Sequence, residues 1–198
     1  MISLNADAPA ELAPLSWLLG VWEGTGVVHY SIAGETTTLE FGQRVSFSHD
    51  GLPHLNYSSH TWLLDDALTP HVAETGYWRL SRPAGAGDPG PGMLAPAAPK
   101  PFTTATAVET LRNSDGGFDI EVAIVHPGGV SELYLGQVKD ARIDLATDAV
   151  VRSASAKEYA AATRLYGLVD SHLLWAWDIA ALGQPLATHA SGRLARVD

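Results

Sequence analysis

Histidine can bind a metal or move a proton near neutral pH, and this sequence has eight of them. His189 stands out because Ala187 and Ser191, its neighbours at two-residue spacing in a strand-like segment, are small. If the three side chains share one face of a strand, they leave space above the imidazole. A flat macrocycle would need such space if His189 bound its iron. The alternative interpretation is an edge-strand histidine with small neighbours by chance.

The other seven histidines form no metal-binding pattern. None falls in an H-x-H or H-E-x-x-H spacing, so we do not expect a zinc site from them. The first four listed below are expected near turns or on outward faces. The fifth lies opposite the tryptophan face and is expected to be exposed. The last two lie at strand ends and are expected to be solvated. In that order they are His49, His54, His60 and His71; His29; and His126 and His172.

Composition excludes several classes of function. The chain has no cysteine, which removes disulfides, thiolate metal sites and cysteine nucleophiles. Its formal net charge of −10, with only 12 Lys and Arg residues, argues against nucleic acid as a partner. Neither a P-loop nor a G-x-S-x-G elbow is present. The adjacent carboxylates of Asp65 and Asp66 are expected to point to opposite sides of a hairpin turn.

Alternating polarity predicts the elements that would position these residues. Apolar residues recur with period two in 118–126 and again in 171–180, which indicates half-buried strands. Turn-rich clusters separate about ten such segments. We therefore predict an all-β fold, a roughly ten-stranded antiparallel up-and-down β-barrel wide enough for one small ligand. Residues 9–19 predict a short N-terminal helix that plugs one end.

The most distinctive short pattern is G-x-W-x-G-x-G, formed by Gly20, Trp22, Gly24 and Gly26. Glycines on one face of a strand allow close backbone approach or a sharp bend. Trp22 would supply the bulk that covers the barrel floor. This pattern indicates a scaffold and not a reaction.

We interpret residues 1–198 as a single domain. The segment 83–101 is mostly Pro, Gly and Ala, and we expect a flexible loop inserted between two strands. No run approaches the roughly 20 apolar residues of a membrane-spanning helix. Residues 1–7 lack the basic start of a secretory signal. These observations predict a cytoplasmic protein with no membrane partner.

The order of motifs along the chain resembles that of the nitrobindin family. The likeness covers about residues 12–82 and 102–197, and six motifs appear in the right order. They are Leu18-Leu19 with the G-x-W-x-G-x-G pattern, Phe47–Pro53 with Leu55–Tyr57, Glu74–Arg79, His126–Glu132, Ala156–Glu158, and Gly183–Leu186 followed by His189. Two features depart from the family: Tyr30-Ser31-Ile32 lacks the usual proline, and the 83–101 loop is unusual.

The resemblance implies a ten-stranded barrel that binds one heme b at its open end. It implies that His189 is the axial iron ligand and that Lys157 lies near the heme edge, where it would pair with a propionate. Nitrobindins are ferric heme proteins that isomerise peroxynitrite to nitrate and bind nitric oxide, so both are expected ligands, and a homodimer is possible. We further expect His189 to be neutral, with its second ring nitrogen oriented by a hydrogen-bond acceptor.

Two rival interpretations remain open. The same barrel could be a non-catalytic intracellular carrier of a fatty acid or another apolar ligand. It could also be an interaction or structural barrel with a filled core.

Overall fold

Ten antiparallel strands close into a barrel in the computed structural model, which describes residues 8–32, 34–181 and 183–198. Each strand pairs with the next along the chain, and the last pairs with the first, which confirms the predicted up-and-down barrel. The segment 1–7, which entered the prediction of location, lies outside the described residues. The strands are β1 (Gly20–Ile32), β2 (Glu35–Ser48), β3 (Leu55–Leu63), β4 (Pro70–Leu80), β5 (Phe118–His126), β6 (Val130–Lys139), β7 (Arg142–Arg152), β8 (Tyr159–Val169), β9 (His172–Ala181) and β10 (Ala187–Arg196).

A 3₁₀ helix, Ala10–Leu18, plugs the end of the barrel at which β1 begins. Its leucines Leu12, Leu15 and Leu18 are fully buried. Their spacing of three matches the three residues per turn of a 3₁₀ helix, so all three point to one side. The predicted plug is confirmed, and its spacing is tighter than that of an α-helix.

Trp22 ties this plug to the barrel. Its side chain is 1% exposed, and its indole N–H donates to the carbonyl oxygen of Leu18 at 2.7 Å. The guanidinium of Arg196 lies 4.5 Å from the centre of a Trp22 ring and donates to the carbonyl of Trp17 at 2.7 Å. The tryptophan of the G-x-W-x-G-x-G pattern therefore closes the barrel.

The glycines of the same pattern allow β1 to approach its neighbours. A methyl group on Gly24 would lie 2.9 Å from the Cα of Leu194 and would also overlap the carbonyl oxygen of Arg193. One on Gly26 would overlap the ring of Phe41 on the inner wall. No side chain fits at either place without movement of the neighbouring strand or ring.

The connection from β4 to β5 is longer than the 83–101 segment. It contains a 3₁₀ turn, Pro91–Met93, and a short helix α1, Ala105–Glu109, which the sequence analysis did not predict. The buried guanidinium of Arg82 pairs with Glu11 of the plug and with Asp88 of the loop, both at 2.7 Å. The first part of the connection is thus tied to the barrel floor. Among the described helices, none is long and apolar enough to cross a membrane.

Replacing Gly24 with Ala is expected to lower the free energy of unfolding by about 1–3 kcal/mol, because the new methyl group meets the backbone of β10. Urea unfolding followed by tryptophan fluorescence measures this loss. Thr25→Ala is the matched control, since Thr25 is exposed on the outer face of the same strand. Equal midpoints for the two variants would contradict the close-approach explanation.

Candidate functional site

A cavity opens at the end of the barrel opposite the plug, where β4, β8 and β10 begin and β1, β5 and β9 end. Aromatic rings form much of its wall, including those of Phe41, Trp175 and Trp177. The enclosed space measures about 80 Å³. His71 and His189 both contribute to the lining.

His189 enters this cavity through a β-bulge. Thr188 pairs with Asp178 and Ala190 pairs with Trp177, so His189 is an extra residue in β10. A bulge disrupts the alternation and re-aims side chains, and here both His189 and Ala190 line the cavity.

The bulge corrects one expectation about the neighbours of His189. Ala187 pairs with the inward-facing Ile179 and so shares the inner face at the rim, as expected. Ser191 pairs with Ala176 and is exposed on the outer face, so its predicted place beside His189 is wrong. The small residue next to the imidazole inside the barrel is Ala190.

Aromatic contacts hold the imidazole of His189. The ring of Trp177 meets it edge-to-face at 87°, with centroids 5.5 Å apart, and the ring of Tyr30 lies 6.2 Å away. In the part of the chain that the structure describes, neither ring nitrogen has a hydrogen-bond partner, so the expected acceptor is not found. Partial burial lowers the pKa of His189, and the nearby His71 lowers it further. A neutral imidazole nitrogen is therefore free to bind a metal.

His71 also enters the cavity through a bulge. His60 pairs with Ala73 and Trp62 pairs with Pro70, so Thr61 lies opposite both His71 and Val72. Both residues of the bulge line the cavity. His71 is exposed and close to a turn, as expected. It does not face outward, however, because its side chain lines the cavity at the mouth of the barrel.

A charged group lies inside the barrel beside the cavity. Arg164 is 4% exposed, and its two terminal nitrogens donate to the carboxylate oxygens of Glu74 at 2.8 and 2.9 Å. Its third nitrogen donates to the hydroxyl of Tyr134 at 3.0 Å. Burial by itself raises the pKa of Glu74, but the charge and hydrogen bonds of Arg164 outweigh it and lower that pKa to about 2. The pair is therefore fully ionised at neutral pH.

Glu132 completes this group and is 2% exposed. The hydroxyls of Tyr134 and Tyr159 each donate to it at 2.5 Å, and a ring nitrogen of His126 lies 2.6 Å from its carboxylate. The other ring nitrogen of His126 lies 3.6 Å from Glu74. The expectation that His126 is solvated is wrong, because two carboxylates from neighbouring strands enclose its ring.

The group, which we call the Arg164 cluster (Glu74, His126, Glu132, Tyr134, Tyr159 and Arg164), supports the wall that holds His189. The Arg164 guanidinium lies 4.3 Å from the centre of the Trp177 ring, and the His126 ring stacks with the same indole at an interplanar angle of 8°. Trp177 thus packs against the Arg164 cluster on one side and meets His189 on another. Arg164 could have been found from the sequence, since it shares its face of β8 with Ala162 and Tyr166.

A second polar group, also missed by the sequence analysis, lies in the cavity wall. The indole N–H of Trp175 donates to Gln43 at 2.8 Å, and Gln43 donates to the hydroxyl of Ser59 at 2.9 Å. Gln43 and Ser59 are each 5% exposed. Their hydrogen bonds satisfy polar groups that burial would otherwise penalise.

Lys157 lies in the turn between β7 and β8, at the same open end as His189. Its side chain is exposed and does not line the enclosed cavity. Its carbonyl oxygen accepts a hydrogen bond from Arg152 at 3.2 Å. The structure therefore places Lys157 at the same end of the barrel as His189, whereas Gly20 and Trp22 lie at the other end.

Fold and site together define a closed antiparallel barrel that presents a neutral histidine at an aromatic open end. The chain belongs to the family of THAP4-like heme-binding beta-barrel domains, whose model matches residues 11–196. This match confirms the heme-binding barrel family that the sequence resemblance indicated.

Named relatives cover the whole chain. A protein of Clavibacter michiganensis subsp. michiganensis named peroxynitrite isomerase is 70% identical over 100% of both chains. One of the same name from Leifsonia xyli subsp. xyli is 67% identical, again over 100% of both. The crystal structure of Rv2717c from M. tuberculosis superposes with a TM-score of 0.68 at 27% identity, covering 96% of this chain and 98% of that one.

Replacing Arg164 with Met is expected to lower the free energy of unfolding by about 3–5 kcal/mol, because Glu74 and Glu132 are then buried without a cation. Denaturant unfolding of both proteins measures the loss. Arg142→Met is the matched control, since its pair with Asp144 is exposed and should contribute little. A loss no larger than that of the control would show that the cluster is not held by this charge.

Replacing His71 with Leu is expected to raise the pKa of His189 in the heme-free protein. The change removes the electrostatic effect by which His71 lowers this pKa, while burial, the larger cause, still holds the pKa of His189 below its ordinary value. An NMR titration of the imidazole nitrogens measures the shift, and His60→Leu on the outer face of β3 serves as control. An unchanged or lower pKa would contradict the placement of His71.

Proposed function

We propose that this chain binds heme b at the open end of the barrel through His189 and isomerises peroxynitrite to nitrate there. The observation that carries the proposal is the bulge that aims the neutral imidazole of His189, which has no hydrogen-bond partner among the described residues, into an aromatic mouth. Relatives that cover the whole chain carry the name peroxynitrite isomerase, which supports the same activity. Nitric oxide, which also binds heme iron, is proposed as a second ligand.

The residues present fit a heme. Imidazole nitrogen is a common axial ligand of heme iron, and the aromatic rings around His189 suit a flat apolar macrocycle. The enclosed space of about 80 Å³ is below the roughly 300 Å³ of a pocket that encloses a whole cofactor-sized ligand. The cavity would therefore take only part of the macrocycle, and the rest would extend beyond the mouth.

When bound, the heme would supply the redox-capable iron for the conversion of peroxynitrite to nitrate. The chain supplies the setting. His189 would donate a nitrogen lone pair to the iron, and its lowered pKa favours the neutral form in which that lone pair is free. Trp177 and Tyr30 fix the plane of the imidazole.

Lys157 is proposed to pair with a heme propionate. Its exposed ammonium at the open end supports this role, because a cation beside a carboxylate at the edge of a site is favourable. Gly20, Trp22, Gly24 and Gly26 are assigned to the scaffold, since they surround the plug or the inner wall.

The fatty-acid carrier is the less favoured alternative. The described interior below the cavity is filled by large buried side chains, including Trp22, Trp78 and Tyr134. An alkyl chain would need that space and would also contact the charged Arg164 cluster, at a large cost in desolvation. Titration with a fluorescent fatty acid would detect this activity.

Three further predictions rest on sequence. One is the single domain over residues 1–198 with a flexible 83–101 loop, which limited proteolysis tests. Another is a cytoplasmic protein that binds neither nucleic acid nor membrane, which cell fractionation tests. The last concerns the oligomeric state: a homodimer is possible, and sedimentation equilibrium distinguishes it from a monomer.

Replacing His189 with Ala is expected to slow heme-dependent peroxynitrite decay at least about tenfold, because the variant lacks the iron ligand. Stopped-flow absorbance with hemin-treated protein measures the rate, with nitrate yield measured in parallel. His60→Ala is the control, since His60 is exposed on the outer face of β3. An unchanged rate in the His189 variant would contradict the assignment.

A further inference from the structure

His71 and His189 lie on facing walls of the barrel mouth. Going around the barrel from β10, β4 is the fourth strand in one direction and the sixth in the other, which is close to diametrically opposite. Both strands begin at the open end, and each histidine is near the start of its strand. The two imidazoles line the same cavity.

In a regular strand, side chains alternate between the inner and outer faces. On that rule each histidine would face outward, because the residue that follows it faces inward. Val72 and Glu74 continue the inner face of β4, which would leave His71 outside, just as Ala190 would leave His189 outside. In each strand a bulge brings the histidine to the lumen together with the next residue. Bulges often re-aim a side chain next to a functional site.

The bulge at His71 is held by a side chain. The backbone N–H of Val72 donates to the hydroxyl of Thr61 at 3.1 Å, and that hydroxyl donates to the carbonyl oxygen of Val72 at 3.2 Å. Thr61 thus satisfies the groups that the irregular pairing leaves unpaired. Across the described residues, the ring of His71 itself has no hydrogen-bond partner, so its N–H is available to a ligand.

We propose that His71 is a substrate-binding residue, whose ring N–H donates a hydrogen bond to the small anion held at the heme on the side away from His189. This inference rests on the proposed heme site. A hydrogen bond from a ring N–H to an anion is stronger than one between neutral groups. Donors on the open side of a heme influence which small ligands bind and react there.

The test uses the heme-loaded full chain and sodium azide as the anionic probe. We expect His71→Leu to weaken azide binding to the ferric protein about tenfold, the effect of one hydrogen bond to a charged group. His71→Gln keeps an N–H donor and is expected to recover most of the affinity. His60→Leu, on the outer face, is expected to bind azide like the wild type. Absorbance titration gives all four affinities, and thermal unfolding checks that each variant folds.

Two results would overturn the role of His71. Wild-type azide affinity in His71→Leu would show that the residue makes no contact with the anion. Tighter azide binding, with a changed Soret band before azide is added, would show that His71 binds the iron itself. Failure of the heme site is distinguishable, because the wild type would then show no His189-dependent Soret band, and this proposal would fall with it.

Discussion

The ion pair between Arg164 and Glu74 is the interaction on which the open end of the barrel depends. An unpaired guanidinium inside a barrel is very costly, so its hydrogen bonds must all be met. Glu74 from β4 and Tyr134 from β6 accept three of them, and Glu132 with His126 extends the cluster to the β5–β6 hairpin. Removing the charge of Arg164 would leave both Glu74 and Glu132 buried without their guanidinium partner.

The cluster reaches the functional site through a single side chain. Trp177 lies against Arg164 and His126, and its edge meets the imidazole of His189. A ligand histidine is usually oriented by a hydrogen bond from its second nitrogen. Here the indole of Trp177 contacts the ring instead, and neither imidazole nitrogen has a hydrogen-bond partner among the residues that the structure describes.

Regular features of the sequence predicted much of the fold, whereas the irregular features of the structure could not be predicted. Alternation in β5 and β9 and the leucines of the plug follow from local periodicity, so they could be predicted. The bulge at His189 could not, because one inserted residue leaves no mark in the pattern, and Ser191 was therefore placed on the wrong face. The Arg164 cluster joins residues up to 90 positions apart, and no local pattern pairs them.

The Fe–His stretching band of the ferrous heme protein, measured by resonance Raman spectroscopy, tests the central claim most directly. If the bulge presents His189 to the iron, His189→Gly loses this band, and added imidazole restores it by filling the space left by the side chain. A band that persists unchanged in His189→Gly without imidazole would show that another residue binds the iron, and the account of the site would be wrong.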